Sequence, residues 1–461
     1  MSELVQLRRA SRPASGAPLR PDGVRGRVYL ETYGCQMNIG DSEILAGALA
    51  RRGYSPVTDP AEADVIVVNT CAIREHAERR VLGRIGQLQR HRRENPELLL
   101  AVTGCMAQRL GRSLLERVPG VDVVAGPDAY RRLGGLIDGI RFGGLERGQH
   151  LLELDGSENY EHMESARRGD TAAWITVQRG CDHRCTFCIV PFVRGPEKNR
   201  APGDVLAEVR AAVEAGFTEV TLLGQTVNSY AHGNWDFARL LRAVARTEGL
   251  RRVRFTSPHP NDVTEALAAV MAEEPTVCRQ LHLPVQSGAD RILRRMVRRY
   301  TVEGFLECVA LVRERMPDIA LSTDVIVAFP GETEEEFEAT LSLLRRVRFD
   351  EAYLYRYSLR KGTPAERFPA HDFVPETVAG RRLERAIEVQ RRIQREINER
   401  EVGRVVEVLA ERSARSPGDL LGRTQSNKVV AFPAPEEEIG AYHRVRLLAT
   451  SGATFTGERV A

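Results

Sequence analysis

The stretch Arg179-Gly180-Cys181-Asp182-His183-Arg184-Cys185-Thr186-Phe187-Cys188-Ile189-Val190-Pro191 carries three cysteines in the spacing C-x3-C-x2-C. So short a loop brings three thiolates to three corners of one four-iron cube and leaves the fourth iron without a protein ligand. An open iron can chelate a substrate or cofactor, whereas a fully ligated cluster suits plain electron transfer. A structural zinc site is closed by four ligands, usually from two C-x2-C arms or nearby histidines. Here one arm has three intervening residues, and His183 lies inside the loop, badly placed to join its neighbours. A disulfide would leave an odd thiol. The apolar run from Ala173 to Gln178 reads as a strand that delivers this loop at its carboxyl end.

Further strand-like runs begin at Glu219, Arg252, Gln280, Ala320 and Glu351, with helical patterns between them. Six strands alternating with helices predict a partial (β/α)6 barrel over residues 167–397, with its active site at the carboxyl mouth. Polar clusters follow the strands along that rim. Gly224, Gln225, Ser257, His282, Gln286 and Gly331 are the candidates for holding a small cofactor beside the open iron. Upstream, residues 26–142 repeat a pattern of strand, Cys-bearing turn and helix, which predicts a parallel α/β domain. Cys35, Cys71 and Cys105 each fall just past a strand, where ligands gather in such sheets. Their convergence would make a second three-thiolate site. Residues 400–461 show short alternating runs with Gly and Pro, the pattern of a small antiparallel β-barrel. Cys278 and Cys308 stand alone on helical stretches and read as buried structural thiols.

The chain of 461 residues allows several domains, and its 42% hydrophobic and 28% charged content is ordinary for a globular protein. No apolar run approaches a membrane span. Residues 1–25 are rich in Arg, Ser, Ala and Pro without an apolar core, so a disordered tail is expected rather than a secretory signal. Eight cysteines without such a signal point to metal or catalytic use in a reducing, cytoplasmic setting. The net charge of +3 does not announce a nucleic-acid binder. The Arg291–Arg299 run, with five arginines in nine residues, is a local basic cluster.

The segments TYGCQMN (32–38), NTCAIRE (69–75), TGCMAQR (103–109), RGCDHRCTFCIVPFVRG (179–195), LLGQTVN (222–228), HLPVQSG (282–288) and FPGET (329–333) together resemble the radical S-adenosylmethionine (SAM) methylthiotransferases. The resemblance runs from about residue 26 to the end. Within that family, TYGCQMN and GRTQSNKVVAF (422–432) are similar to the tRNA-acting branch, and the tail is similar to a TRAM domain. The resemblance implies two 4Fe-4S clusters: a SAM-binding one on Cys181, Cys185 and Cys188, and an auxiliary one on Cys35, Cys71 and Cys105 that carries the inserted sulfur. It implies a tRNA substrate bearing N6-isopentenyladenosine beside the anticodon (adenosine-37). Sulfur and then a methyl group from a second SAM would be added at C2, after the base leaves its stack. The Arg clusters and the tail would hold the RNA backbone. A flavodoxin-like one-electron donor and a monomer are expected. No catalytic residue is assigned beyond the cluster ligands. The alternatives are modification of a ribosomal-protein side chain and a non-catalytic iron-sulfur RNA-binding protein. Two departures stand out: Ala328 where the family usually has Gly before FPGET, and Phe192-Val193 where Tyr-Thr is common.

Overall fold

In the computed structural model, residues 25–72, 75–167 and 171–460 are described. The expected disordered tail, 1–25, lies outside them except for Arg25. Six strands form the first sheet: β1 Gly26–Thr32, β2 Tyr54–Val57, β3 Val65–Thr70, β4 Leu99–Gly104, β5 Val123–Ala125 and β6 Gln149–Leu151. Their order is β2-β1-β3-β4-β5-β6, and every pair is parallel. All residues of β3 (VIVVNT) and β4 (LLAVTG) are buried, because helices cover both faces of such a sheet. The sheet extends past the expected boundary at residue 142 to take in β6.

The six barrel strands form where the sequence pattern puts them, in two parallel sheets of three. One holds Ala172–Thr176, Glu219–Leu223 and Arg252–Phe255; the other holds Gln280–His282, Ala320–Val327 and Glu351–Arg356. An isolated bridge between Val253 and Val277 joins the two halves. The helix Gln36–Ala50 of the first domain packs against the strand Ala172–Thr176. This contact explains a helix buried nearly all round, polar Asn38, Asp41 and Glu43 included.

The tail is a closed five-stranded barrel built of Val405–Ser413, Asp419–Arg423, Val429–Pro433, Tyr442–Ser451 and Thr454–Arg459. Its ladders are antiparallel except for the parallel pair Val429–Pro433 with Thr454–Arg459. Val408, Leu420, Phe432, Val445 and Phe455 fill its core. The long helix Glu376–Glu399 connects it to the central barrel.

The loop between Arg423 and Lys428 is held through its main chain, with Gln425, Ser426 and Asn427 half-exposed. It docks on the amino end of the central barrel. Arg254 donates to the carbonyls of Thr424 (2.7 Å) and Gln425 (3.1 Å) while pairing with Glu219 (3.0 Å). Arg252, fully buried, donates to the carbonyls of Arg423 (2.8 Å) and Glu407 (2.9 Å). Lys428 pairs with Asp350 (2.7 Å) and donates to Asn398 (3.0 Å) on the connecting helix. Removing Arg254 would take away both carbonyl anchors at Thr424 and Gln425 and leave buried Glu219 only the more distant Arg252, 3.9 Å away, and breaking a buried pair costs about 3–5 kcal/mol. Arg254→Ala is therefore expected to free the tail from the barrel, seen as faster limited proteolysis near residue 403 with the tail fragment itself still protected.

Candidate functional site

Strands β1, β3 and β4 are sheet neighbours, and their registers align Thr32 with Asn69, and Thr70 with Gly104. The next turns therefore start side by side, about 5 Å apart. Cys35 caps the helix Gln36–Ala50, Cys71 directly follows β3, and Cys105 opens the helix Cys105–Leu110. None of the three forms a disulfide, and Cys71 and Cys105 are buried. Gly34 takes φ +131°, and a Cβ there would lie 2.2 Å from Cys71 Cβ. The approach of the first two cysteines thus requires glycine at that position. Gly180, with φ +76°, does the same for the second loop, where a Cβ would meet the Pro196 carbonyl at 1.8 Å.

The Cys181–Cys188 loop is irregular and pinned from several sides. The Cys181 N–H donates to the Gly195 carbonyl (3.1 Å), and the thiol lies 3.2 Å from Thr226 Oγ1. Thr186 donates to the carbonyls of Met296 through its N–H and Arg295 through its hydroxyl, each at 3.0 Å. Arg298 reaches Cys185 Sγ at 3.5 Å and the Pro284 carbonyl at 3.0 Å. His183 is engaged elsewhere: its ring stacks on His259 at 3.9 Å, and its Nε2 lies 3.7 Å from Asp262.

A short structural link joins the two cysteine sites. The helix Val190–Arg194 begins two residues after Cys188. Ile189 and Val193 pack on Ala72 and Cys105. Arg194, at the end of this helix, donates Nε–H to Cys105 Sγ at 3.1 Å. Arg360 lies within electrostatic reach of both triads, of Cys71 in one and Cys188 in the other. Burial holds this guanidinium below its ordinary value, and its buried Nη1 has no hydrogen-bond partner among the described residues.

The donor chemistry fits a cationic cluster at each site. Burial pushes the Cys105 and Cys181 thiols up and takes Cys188 to about 12. A hydrogen bond with Cys71, aided by Arg194, pulls Cys35 down. Buried thiolates of this kind persist when a metal compensates their charge. Cys278 is buried beside Arg254 and Glu219 at the barrel's amino end, and Cys308 lies on the helix Val302–Arg315, so neither supplies a fourth thiolate to either triad.

The six rim candidates divide. Gly224 and Gln225 lie in the turn that brings Thr226 to Cys181, and Gln225 Oε1 is buried without a partner among the described residues. Ser257 is exposed at φ +57° and Gln286 is buried at φ +68°. Gln286 is held by main-chain bonds to Asp324 (2.8 Å) and Ile326 (2.9 Å). His282 is paired, with Nδ1 3.0 Å from Ser322 Oγ and Nε2 3.4 Å from Asp324. Gly331, at φ +82°, donates to the Asp372 carbonyl (2.6 Å), and Asp372 pairs with Arg295. Strained non-glycine backbone at Ser257, Gln286 and Ala328 collects on one rim, as it does at functional sites.

Ala328 at φ +58° also explains why a glycine suits that position. Left-handed strain of about 1–2 kcal/mol outweighs the unfolded-state entropy that alanine saves, about 0.4–1 kcal/mol. Ala328→Gly is expected to raise stability by about 0.5–1 kcal/mol in chemical denaturation.

Thr226, Arg194, Arg298 and Arg360 touch or face the cysteines and are absent from the sequence-based site. Thr226 and Arg194 stand inside legible motifs, but nothing in the sequence marks Arg360. In the Arg291–Arg299 run, Arg291 pairs with Glu336 (2.7 Å), Arg295 with Asp372, and Arg298 with Cys185, leaving Arg294 and Arg299 exposed for an external partner.

Three family models match the chain in succession: Uncharacterized protein family UPF0004 over residues 27–126, the Radical SAM superfamily over 175–344, and the TRAM domain over 399–458. The tRNA-2-methylthio-N(6)-dimethylallyladenosine synthase of Chlorobium luteolum is 43% identical over 94% of this chain and 97% of that protein. The one from Thermobifida fusca is 46% identical over 89% and 84%. Among solved structures, the radical S-adenosylmethionine methyltransferase TsrM from Kitasatospora setae shares the fold, with a TM-score of 0.57 at 17% identity over 86% of this chain and 80% of that one. Among the described residues, no helix is long and apolar enough to cross a membrane. With these relatives matched over nearly its whole length, the chain belongs to the tRNA-2-methylthio-N(6)-dimethylallyladenosine synthase family of radical SAM enzymes.

Proposed function

We propose that this enzyme holds two 4Fe-4S clusters and SAM, and adds sulfur and then a methyl group at C2 of N6-isopentenyladenosine beside the tRNA anticodon. The observation that carries the reading is the pair of three-thiol sites, linked by the helix Val190–Arg194. When bound at three thiolates, a four-iron cluster offers an open iron and the electron for reductive cleavage of SAM.

The chain's own residues do the rest. Cys181, Cys185 and Cys188 hold the SAM-side cluster, with Thr226 and Arg298 as hydrogen-bond donors toward its sulfurs. Cys35, Cys71 and Cys105 hold the auxiliary cluster at the sulfur-supplying site. Gly224, Gln225, Ser257, His282, Gln286 and Gly331 are the proposed contacts to SAM, and Gln225 Oε1 is free to accept a hydrogen bond. Asp324 fixes the His282 ring. Exposed Phe192 and Leu359, close in sequence to Arg194 and Arg360, offer apolar surface to a flipped base and its prenyl group. The domains proposed are the first from residue 26, carried past 142 through β6, then 167–397 and 400–461. The protein works as a cytoplasmic monomer supplied by a flavodoxin-like donor.

The test is the nucleoside content of tRNA from a strain lacking this gene, with and without the gene restored. Loss of the methylthio derivative with build-up of N6-isopentenyladenosine is the expected result. Persistence of the methylthio nucleoside overturns the tRNA assignment. Anaerobically reconstituted protein should release 5'-deoxyadenosine from SAM under dithionite, and failure to do so at full iron content favours a binding module.

A further inference from the structure

Arg194 is not accounted for by the reading above. It is almost wholly buried, with 3% of its side chain exposed, on the short helix that leaves the Cys181–Cys188 loop. Yet its guanidinium lies in the other site. Its Nε–H donates to Cys105 Sγ at 3.1 Å. Nη2 donates to Asp41 Oδ2 at 2.6 Å and to Asn38 Oδ1 at 3.1 Å, and Asn38 Oδ1 also lies 3.8 Å from Cys35 Sγ. One guanidinium therefore reaches one thiol directly and a second through a single amide. The pair with Asp41 is fully enclosed and incompletely satisfied: Arg194 Nη1 and Asp41 Oδ1 have no partner among the described residues.

Burying a cation this way is expensive unless its charge has a use. Hydrogen bonds and positive charge at cluster sulfurs raise the reduction potential, because they favour the more negative reduced form. We propose that Arg194 is a positioning residue that sets the reduction potential of the Cys35–Cys71–Cys105 site, by donating to the Cys105 sulfur from a helix anchored in the Cys181–Cys188 loop. Asp41 opposes it, so the two residues shift the potential in opposite directions. This inference rests on the two-cluster reading.

The experiment uses the full chain with Cys181, Cys185 and Cys188 replaced by Ala, so that only the auxiliary site is observed, and measures its midpoint potential by EPR-monitored titration. Arg194→Gln is expected to lower the potential, Arg194→Lys to lower it less, and Asp41→Asn to raise it. Equal potentials in all variants at full iron content overturn the proposal. If the Arg194 variants fail to hold iron, Asp41→Asn decides alone, and the absence of an upward shift overturns it. A merely structural role would not give shifts of opposite sign. Iron content of the unmodified chain separates the two ideas: about four irons instead of about eight removes the two-cluster reading, whereas about eight with unmoved potentials removes only this inference.

Discussion

Replacing Cys181, Cys185 and Cys188 by Ala is expected to abolish release of 5'-deoxyadenosine from SAM and to leave about half the iron. Replacing Cys35, Cys71 and Cys105 should remove the other half, leave SAM cleavage running and stop sulfur insertion. The separation follows from how each site is built. One triad sits on a single irregular loop held by Gly195, Thr226 and Met296. The other sits on three turns of a separate sheet, set by the registers of β1, β3 and β4. Iron analysis and SAM cleavage, measured on the same anaerobic preparations, check both variants. Continued cleavage in the first variant would mean the roles are reversed. Loss of all iron from either would mean the sites assemble as one unit.

Asp128→Asn should be among the most destabilising single replacements in the chain. Asp128 follows β5 and is fully buried. It accepts from Arg179 (2.6 Å), from Lys198 (2.7 Å) and from the Asp155 N–H (2.9 Å). Arg179 also stacks over the Tyr160 ring at 3.6 Å. The carboxylate is thus the common counter-charge for two buried cations that flank the Cys181 loop in sequence. The amide keeps the volume but removes that charge, so two cations are left enclosed. Breaking one buried pair costs about 3–5 kcal/mol, and the lower bound is the secure one here because Lys198 can shed its proton. Burial and Arg179 already hold Lys198 below its ordinary value. Thermal denaturation followed through the first domain, together with loss of iron on gel filtration, measures the effect. An unchanged midpoint would mean that Asp128 does not join the two domains.

Much of the architecture is legible in the sequence itself. Period and length place β1, β3, β4 and the six barrel strands, whereas β2, β5 and β6, of three or four residues each, are too short to stand out. The two cysteine triads follow from spacing and from the rule that strand ends gather ligands. The illegible part is carried by long side chains reaching across domains. Arg194 contacts Cys105 from 89 positions away, and Arg254 meets Gln425 across 171. No local pattern encodes such contacts. The glycine-poor turn at Ala328 shows the converse: the departure is visible in the sequence, but its left-handed backbone is not. The GRTQSNKVVAF segment marks the family well, yet its docking runs through the main-chain carbonyls of Arg423, Thr424 and Gln425 and the Lys428 side chain, which no side-chain pattern announces.

The docked tail has a consequence for protein engineering. A tail whose loop carbonyls are held by Arg252 and Arg254, and whose Lys428 is held by Asp350, is not an interchangeable cartridge. A chimera that swaps in a foreign barrel after residue 400 would leave Arg252 and Arg254 without their carbonyl acceptors, sharing only Glu219, and would leave Asp350 without Lys428. Transplanting the tail together with Arg252, Arg254 and Asp350 would move plug and socket as one piece.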